Sequence, residues 1–213
     1  MSFKLFSLLV QASVWTIGIS AISIALGFLI AIGLSAALLS RKSLYRRPAE
    51  FFISFFRGVP LLVQLLLIYN LLPFIGLNVP SIVAAIIGMS LCTAAYQAEN
   101  LRGGFESVPQ GLIEAADMVG FSPRQVFLRI KVPIALRLTF PALVNEAIMI
   151  LKSSSLVSVV GIVEITRMAQ DLASSTYMPI EIFSSAALIY LVICWAVALA
   201  GRYGERSLPG AAK

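Results

Sequence analysis

The chain has 213 residues, of which 59% are hydrophobic and 12% are charged. Soluble domains carry about a quarter charged residues, so this composition excludes an ordinary soluble domain and predicts an integral membrane protein. The net charge of +6 comes from basic residues scattered among loops, which argues against a nucleic-acid-binding face. The chain has no histidine, and Cys92 and Cys194 lie in apolar segments without nearby ligand residues, so we expect no metal site.

Long stretches without charged residues predict five transmembrane helices. No charged residue occurs between Lys4 and Arg41, and none occurs between Arg57 and Glu99, where a turn around Gly76 divides two spans. Each stretch can supply the ~20 apolar residues that a helix needs to cross a bilayer. The first stretch is too long for the apolar part of a signal peptide, so we expect an uncleaved helix. The predicted spans cover about residues 14–40, 51–72, 80–100, 132–151 and 182–201.

The charged segment 107–133 lies between apolar stretches and predicts two short helices separated by a turn. Ser107 with Gln110, and Ser122 with Gln125, have the spacing of capping boxes, in which the paired side chains satisfy free N–H groups of the first turn. The two helices are therefore expected to begin near these serines.

The first of these helices is expected to end at Gly120, because a left-handed residue after the last turn favours glycine. Helical periodicity places alanine side chains on one face, where the backbone of a partner can approach closely. From the residues alone, a helix that docks on a partner and an ordinary helical loop both remain open. The predicted shallow stripe consists of Leu112, Ala115, Ala116 and Val119, with Glu114 and Asp117 behind it.

The fourth span contains polar residues that a lipid-facing helix would exclude. Asn145 and Glu146 lie well inside the apolar stretch, and Lys152 with three following serines interrupts it. A carboxylate at membrane depth is costly unless it faces a cavity or a partner. We therefore expect a helix that is bent or broken at 152–155 and lines a polar path. The alternatives are a structural ion pair between Glu146 and Lys152 and an acid that only packs within the protein.

The distribution of Lys and Arg predicts which loops face the cytosol. Four basic residues lie at positions 41–47, five at 102–137 and three in the C-terminal tail, against three on the opposite side. Because positive charge accumulates on the cytosolic side, we expect the N-terminus outside and the C-terminus in the cytosol. The segment 107–133 is then cytosolic as well.

Several motifs resemble the permease subunits of ABC importers, in particular those of the polar amino-acid uptake branch. EAA at 114–116, followed by Gly120 and by IKVP at 130–133, has the spacing of the EAA loop of that family, with Val132 where leucine is usual. Together the matches cover about residues 55–170. The further matching segments are RGVP at 57–60, AYQAENLR at 95–102 and NEAIMILKSSSL at 145–156.

The resemblance implies an all-α membrane protein with a type I ABC importer-like fold. Five transmembrane helices and a cytosolic coupling helix would form a single permease domain over residues 1–213, with the EAA loop at about 103–133. The coupling helix of such a permease sits in a cleft of the ATPase subunit. The candidate coupling residues are Glu114, Ala115, Ala116 and Gly120, and the candidate residues of the substrate path are Asn145, Glu146 and Lys152.

The resemblance also implies the partners: two ABC ATPase subunits, a second permease chain that is identical or related, and an extracytoplasmic solute-binding protein that delivers an amino acid. The chain has no Walker-type glycine loop, so it is expected to bind no cofactor and to be no enzyme, with ATP and Mg²⁺ held by the ATPase partner. The expected location is the bacterial inner membrane, in contact with lipid. A secondary transporter or channel subunit with a structural cytosolic loop is the alternative, and the lack of an inverted sequence repeat counts against it.

Overall fold

The structure is a computed structural model that describes residues 3–207. The two ends of the chain, on which the predicted orientation of the termini depends, lie outside the described residues. All regular elements within 3–207 are helical, as the sequence predicts. The described residues form nine α-helices: α1 (Phe3–Leu38), α2 (Ser43–Gly58), α3 (Leu61–Phe74), α4 (Ser81–Glu106), α5 (Gln110–Met118), α6 (Pro123–Val126), α7 (Val132–Ser153), α8 (Ile165–Thr176) and α9 (Pro179–Ser207).

Four segments of the described chain are single helices long and apolar enough to cross a membrane, and they correspond to the first, third, fourth and fifth predicted spans. The second predicted span is wrong as one helix, because α2 and α3 meet at an angle of 108°. Pro60 disfavours the helical conformation of the residue before it, and Val59 is extended at φ −95° and ψ 133°. The bent pair is the fifth candidate span. The four single helices are Phe3–Leu38, Ser81–Glu106, Pro123–Val160 and Pro179–Ser207.

At 152–155 the α-helical geometry ends, within the range predicted for a bend or break, but the chain stays helical and is not interrupted. The α7 helix continues beyond Ser153 as a tighter 3₁₀ helix, Ser154–Val160, and the chain turns only at Gly161, where φ is +82°. The serine hydroxyls do not break the helix, because they bond to carbonyl groups of the preceding turn. The Ser154 Oγ donates to the Leu151 carbonyl at 2.7 Å.

The α2–α3 bend is held by Gln64, a buried residue in the first turn of α3. Its Nε2 donates to the Phe56 carbonyl at 2.8 Å and to the Val59 carbonyl at 2.7 Å. Carbonyl groups freed by a helix break need partners within the protein when water is absent. Gln64 therefore stabilises a bend that the sequence prediction missed, and the signal for it was an amide side chain within an apolar run.

The α1 and α4 helices pack through small side chains, as expected where helix association in lipid depends on close backbone approach. A Cβ atom on Gly27 would meet the Thr93 methyl group and would lie 3.0 Å from the Ser90 carbonyl oxygen. Many larger apolar side chains of α1 are exposed on its other side, although Leu9, Ile19 and Leu38 are buried. The small buried residues on α1 are Ala12, Ser13, Thr16, Ser20, Ser23, Gly27, Ala31 and Ser35.

The α4 and α7 helices make a second close contact at Gly104. A Cβ atom there would meet the Thr139 methyl group and would lie 2.8 Å from the Ala135 carbonyl oxygen, whereas a Cβ on the neighbouring Gly103 meets nothing within 4 Å. The two adjacent glycines therefore form a matched pair, one packed and one open.

We predict that Gly104→Ala lowers the thermal unfolding midpoint of the detergent-solubilised protein, because overpacking at a tight site costs about 1–3 kcal/mol. The control Gly103→Ala should leave the midpoint unchanged or raise it, since alanine in a helix is favoured over glycine by about 0.5–1 kcal/mol. Equal midpoints for the two variants would contradict the α4–α7 packing.

Candidate functional site

One end of the bundle gathers the C-terminal ends of α1 and α4 with the N-terminal half of α2. Leu38, Arg46, Glu50, Arg102 and Glu106 line one cavity there. Arg46 pairs with Glu50 at 2.7 Å, and Arg102 pairs with Glu106 at 2.6 Å. The α5 helix begins a few residues after α4 ends, so it starts at the same charged end, which also carries the basic loop 41–47.

The α5 helix does not begin at a capping box, so the prediction for Ser107 with Gln110 is wrong. Ser107 instead ends α4, where its Oγ donates to the Gly103 carbonyl at 2.7 Å. Pro109 precedes the first residue of α5, Gln110, and Val108 is buried. Proline at this boundary lacks an N–H that would otherwise need a partner.

The end of α5 has the predicted geometry. Gly120 adopts φ +84°, and its N–H donates to the Asp117 carbonyl at 3.0 Å, while the Phe121 N–H donates to the Ala116 carbonyl at 3.1 Å. These two bonds form a Schellman motif, which satisfies the last carbonyl groups of the helix. A left-handed residue at this position favours glycine, so the turn fixes where α5 stops.

The second predicted capping box is confirmed. The Ser122 Oγ accepts from the Gln125 N–H at 3.4 Å, and the Gln125 Oε1 accepts from the Ser122 N–H at 2.8 Å. The helix that begins here is not separate, however, because α6 passes through a π-helical stretch, Phe127–Lys131, directly into α7. The segment Pro123–Val160 is therefore one continuous helix that links the end of the coupling loop to the fourth span.

The candidate coupling residues on α5 do not all face the same way. Ala116 is 8% exposed and packs within the chain, so a bulky residue there would disturb the permease itself. Glu114, Ala115 and Gly120 are exposed. Met118, which the predicted stripe did not include, is 89% exposed. We call the exposed apolar face of α5 the coupling surface: Leu112, Ala115, Met118 and Val119.

The candidate path residues on α7 are divided between two faces. Asn145 and Lys152 are exposed and, with Met149 between them, follow the i, i+4, i+7 spacing of one helix face. Glu146 is 5% exposed and faces α4, where its Oε1 accepts from the Thr93 Oγ at 3.1 Å. We call the exposed side of α7 with Asn145, Met149 and Lys152 the polar face.

The structural alternative, a Glu146–Lys152 ion pair, does not form. The ion pairs within the described residues join other side chains, and none includes either residue. Thr93 in turn accepts from the Gln97 Nε2 at 3.2 Å. Glu146 therefore ends a buried hydrogen-bond chain that connects α7 to α4.

Sequence reasoning missed Glu164, a buried acid in the loop between the last two spans. Its carboxylate caps α8 by accepting from the Arg167 N–H at 2.8 Å and the Thr166 N–H at 2.9 Å, and it also accepts from the Tyr190 hydroxyl at 2.8 Å. Burial raises the pKa of Glu164, and these hydrogen bonds oppose that rise. The acid ties α8 to α9. Its signal in the sequence was a lone carboxylate in an apolar stretch.

Comparisons with known proteins identify the family of this bundle. The family described as binding-protein-dependent transport system inner membrane component matches residues 23–208. An octopine transport system permease protein of Rhizobium radiobacter is 42% identical over 188 residues, which is 83% of this chain and 76% of the relative. A histidine/lysine/arginine/ornithine transport system permease protein of Salmonella typhimurium is 35% identical over 199 residues, 86% of this chain and 83% of the relative.

A solved structure supports the same assignment. A chain of an amino acid ABC transporter, crystallised with histidines, matches with a TM-score of 0.89 at 33% identity and covers 95% of this chain and 94% of that one. The predicted type I importer fold and the predicted family are thereby confirmed, and a secondary transporter or channel is set aside. The chain belongs to the binding-protein-dependent transport system inner membrane components, as a multi-pass permease subunit of an ABC importer that acts with separate ATPase chains, a second permease and a binding protein.

Proposed function

We propose that this permease imports an amino acid, and that α5 docks on the ATPase while the polar face of α7 lines the translocation path. The observation that carries the proposal is the pairing of these two surfaces on one chain. An apolar surface lies exposed beside the charged end of the bundle, and a polar surface lies exposed at membrane depth. In an isolated chain the apolar surface would face water and the polar surface would face lipid. Each surface therefore indicates a partner subunit that covers it.

The substrate class follows from the relatives, which are named for octopine and for histidine, lysine, arginine and ornithine. We propose an amino acid of this kind, delivered by an extracytoplasmic binding protein. ATP and Mg²⁺ bind in the ATPase partner, and this chain holds no cofactor. The N-terminus is outside and the C-terminus is cytosolic, because the basic loops and α5 lie at the same end of the bundle.

The coupling surface contacts the ATPase through side chains of α5. Leu112, Met118 and Val119 supply apolar area, and Ala115 keeps the centre of the surface shallow. Glu114 and Gly120 flank this contact, while Ala116 supports α5 from the inner side. Because α6 continues into α7, a displacement of the α5 turn would act on the helix that carries the path residues.

The polar face of α7 requires a second permease chain opposite it. Asn145 and Lys152 would otherwise meet lipid, where unsatisfied polar groups are costly. With a second chain, identical or related, the same side chains line a path between the two subunits. Glu146 lies one residue from Asn145 and adds negative charge behind this surface, which suits a cationic substrate because charges interact strongly at low dielectric.

The experiment for the proposed function is reconstitution of the permease with its ATPase and binding protein in liposomes. The reconstituted complex is then screened with the twenty standard amino acids and with ornithine, and arginine, histidine, lysine and ornithine are tested first. We expect at least one amino acid to stimulate ATP hydrolysis and to accumulate inside the liposomes. Stimulation by no amino acid, in a complex that still hydrolyses ATP, would contradict the proposed substrate class.

We predict that Val119→Asp lowers ATP-driven uptake at least tenfold, because an unpaired charge at a docking surface typically costs ~2 kcal/mol or more of binding free energy. Membrane insertion should stay normal, and the amount of ATPase that co-purifies should fall. The matched control is Leu44→Asp, since Leu44 is an apolar residue as exposed as Val119 and also lies near the charged end, but on α2. Normal uptake and normal ATPase binding by Val119→Asp would contradict the docking role of α5.

The same variant also tests the orientation of the chain in the membrane, since the ATPase can contact α5 only if α5 is in the cytosol.

We predict that Glu146→Gln lowers uptake of a cationic amino acid more than uptake of a neutral one. The glutamine amide oxygen can still accept from Thr93, so the substitution removes charge and keeps shape. The comparison variant Thr93→Val removes the hydrogen bond and keeps the charge, and it should preserve the preference for the cation. Arginine uptake by Glu146→Gln at the wild-type rate would leave Glu146 a residue that only packs α7 against α4.

A further inference from the structure

A cavity of ≈ 290 Å³ lies at the α2–α3 bend, apart from the residues assigned to the path above. Small-molecule pockets span roughly 300–1,000 Å³, so this cavity is at the size of a small metabolite. It opens between the end of α2, the start of α3, and the facing sides of α4 and α7. Its lining includes Arg57, Val59, Leu61, Tyr96, Met149 and Ser153.

Arg57 is oriented in this cavity but only lightly engaged. Its guanidinium carbon lies 5.5 Å from the centroid of the Tyr96 ring. Its Nη1 lies 3.8 Å from the Glu99 Oε1, which is longer than a hydrogen bond. Glu99 is bound more closely by Arg102, whose Nη2 lies 2.7 Å from the Glu99 Oε2. The Arg57 side chain is 45% exposed and keeps donors for a ligand.

The rest of the cavity also suits an anion. Among its lining residues, all of which the structure describes, Arg57 alone carries a full charge. Leu61 is the first residue of α3, and the N-terminal end of a helix carries partial positive charge. The Tyr96 and Ser153 hydroxyl groups belong to the same lining and can donate hydrogen bonds.

The cavity adjoins the polar face of α7 through shared residues. Met149 lines the cavity and lies between Asn145 and Lys152 on that face. The cavity and the polar face are therefore neighbours on the same side of α7. This proximity connects the Arg57 cavity to the path.

We propose that Arg57 binds the α-carboxylate of the imported amino acid in this cavity. A guanidinium group matches a carboxylate through two parallel hydrogen bonds. The α-carboxylate is common to all amino acids, so Arg57 recognises the substrate class, whereas Glu146 acts on the side chain. This inference rests on the proposed function, and it adds the site at which the substrate is held.

The test uses the purified permease–ATPase complex in nanodiscs without the binding protein, so that the carboxylate requirement of the binding protein plays no part. Radiolabelled amino acids from the panel of twenty, and the carboxamide of each one that binds, are titrated to equilibrium. We expect wild-type complex to bind an amino acid about tenfold or more tightly than its carboxamide, as for a charge-assisted pair. Arg57→Gln should lose that tightness and the discrimination together, and Arg57→Lys should keep part of both.

Two controls separate ligand binding from a structural role. Arg46→Gln removes another arginine of α2, one that pairs with Glu50 outside this cavity, and Glu99→Gln removes the acid beside Arg57. Both should keep the discrimination between acid and amide. The inference is overturned if Arg57→Gln still discriminates as wild type does, or if Glu99→Gln loses discrimination equally, and the proposed function then stands. Binding of no amino acid by the wild-type complex would overturn the inference and would count against the proposed substrate path, while binding-protein-dependent uptake remains a separate measure of the import function.

Discussion

The structure depends on one constraint: polar groups within a bilayer need partners inside the protein, because lipid offers none. The chain meets this constraint where its helices are interrupted. Gln64 occupies the two carbonyl groups at the α2–α3 bend, and the hydroxyl of Ser154 bonds to a carbonyl at the end of α7. Glu164 performs the same task for the first N–H groups of α8. At these three places a specific side chain satisfies backbone groups that the helix would otherwise leave free.

Functional surfaces lie where the same constraint is not met within one chain. The polar face of α7 leaves Asn145 and Lys152 exposed on a candidate membrane span, and the coupling surface leaves Met118 exposed at the charged end. We propose that a partner subunit covers each of these surfaces and so removes both mismatches. The continuous helix Pro123–Val160 connects the two surfaces mechanically, since it begins after the Gly120 turn and carries the polar face. A continuous helix of this kind can carry a displacement of the α5 turn toward the polar face.

Much of the fold follows from local features of the sequence. Charge-free stretches located four spans, and the glycine at position 120 and the serine at 122 have the predicted turn and cap. The bend at Pro60 was missed because the residues on both sides of it within the predicted span are mostly apolar, and a hydropathy pattern does not show a change in helix direction. The family motifs identified the EAA loop, but the motif sequence does not show whether Ala115 or Ala116 is buried.

Helix packing determines which face of a helix is buried, and the sequence pattern does not. In membrane helices small residues face the protein and large apolar residues face lipid, so an apolar stripe does not identify the buried side. Ala116 packs inside the chain, and Glu146 bonds to Thr93 although its neighbour Asn145 is exposed. Consecutive residues of a helix point about 100° apart, so two adjacent polar residues could not both be placed on the path from sequence alone.

The most direct measurement is site-specific photo-crosslinking from position 118 in the assembled importer. A photoreactive amino acid replaces Met118, the most exposed side chain of the coupling surface, and position 44 on α2 provides the comparison. We expect a covalent adduct between permease and ATPase from position 118 and little from position 44. An intact complex that gives no ATPase adduct from position 118 would contradict the role of α5 as the contact that links ATP hydrolysis to the membrane helices.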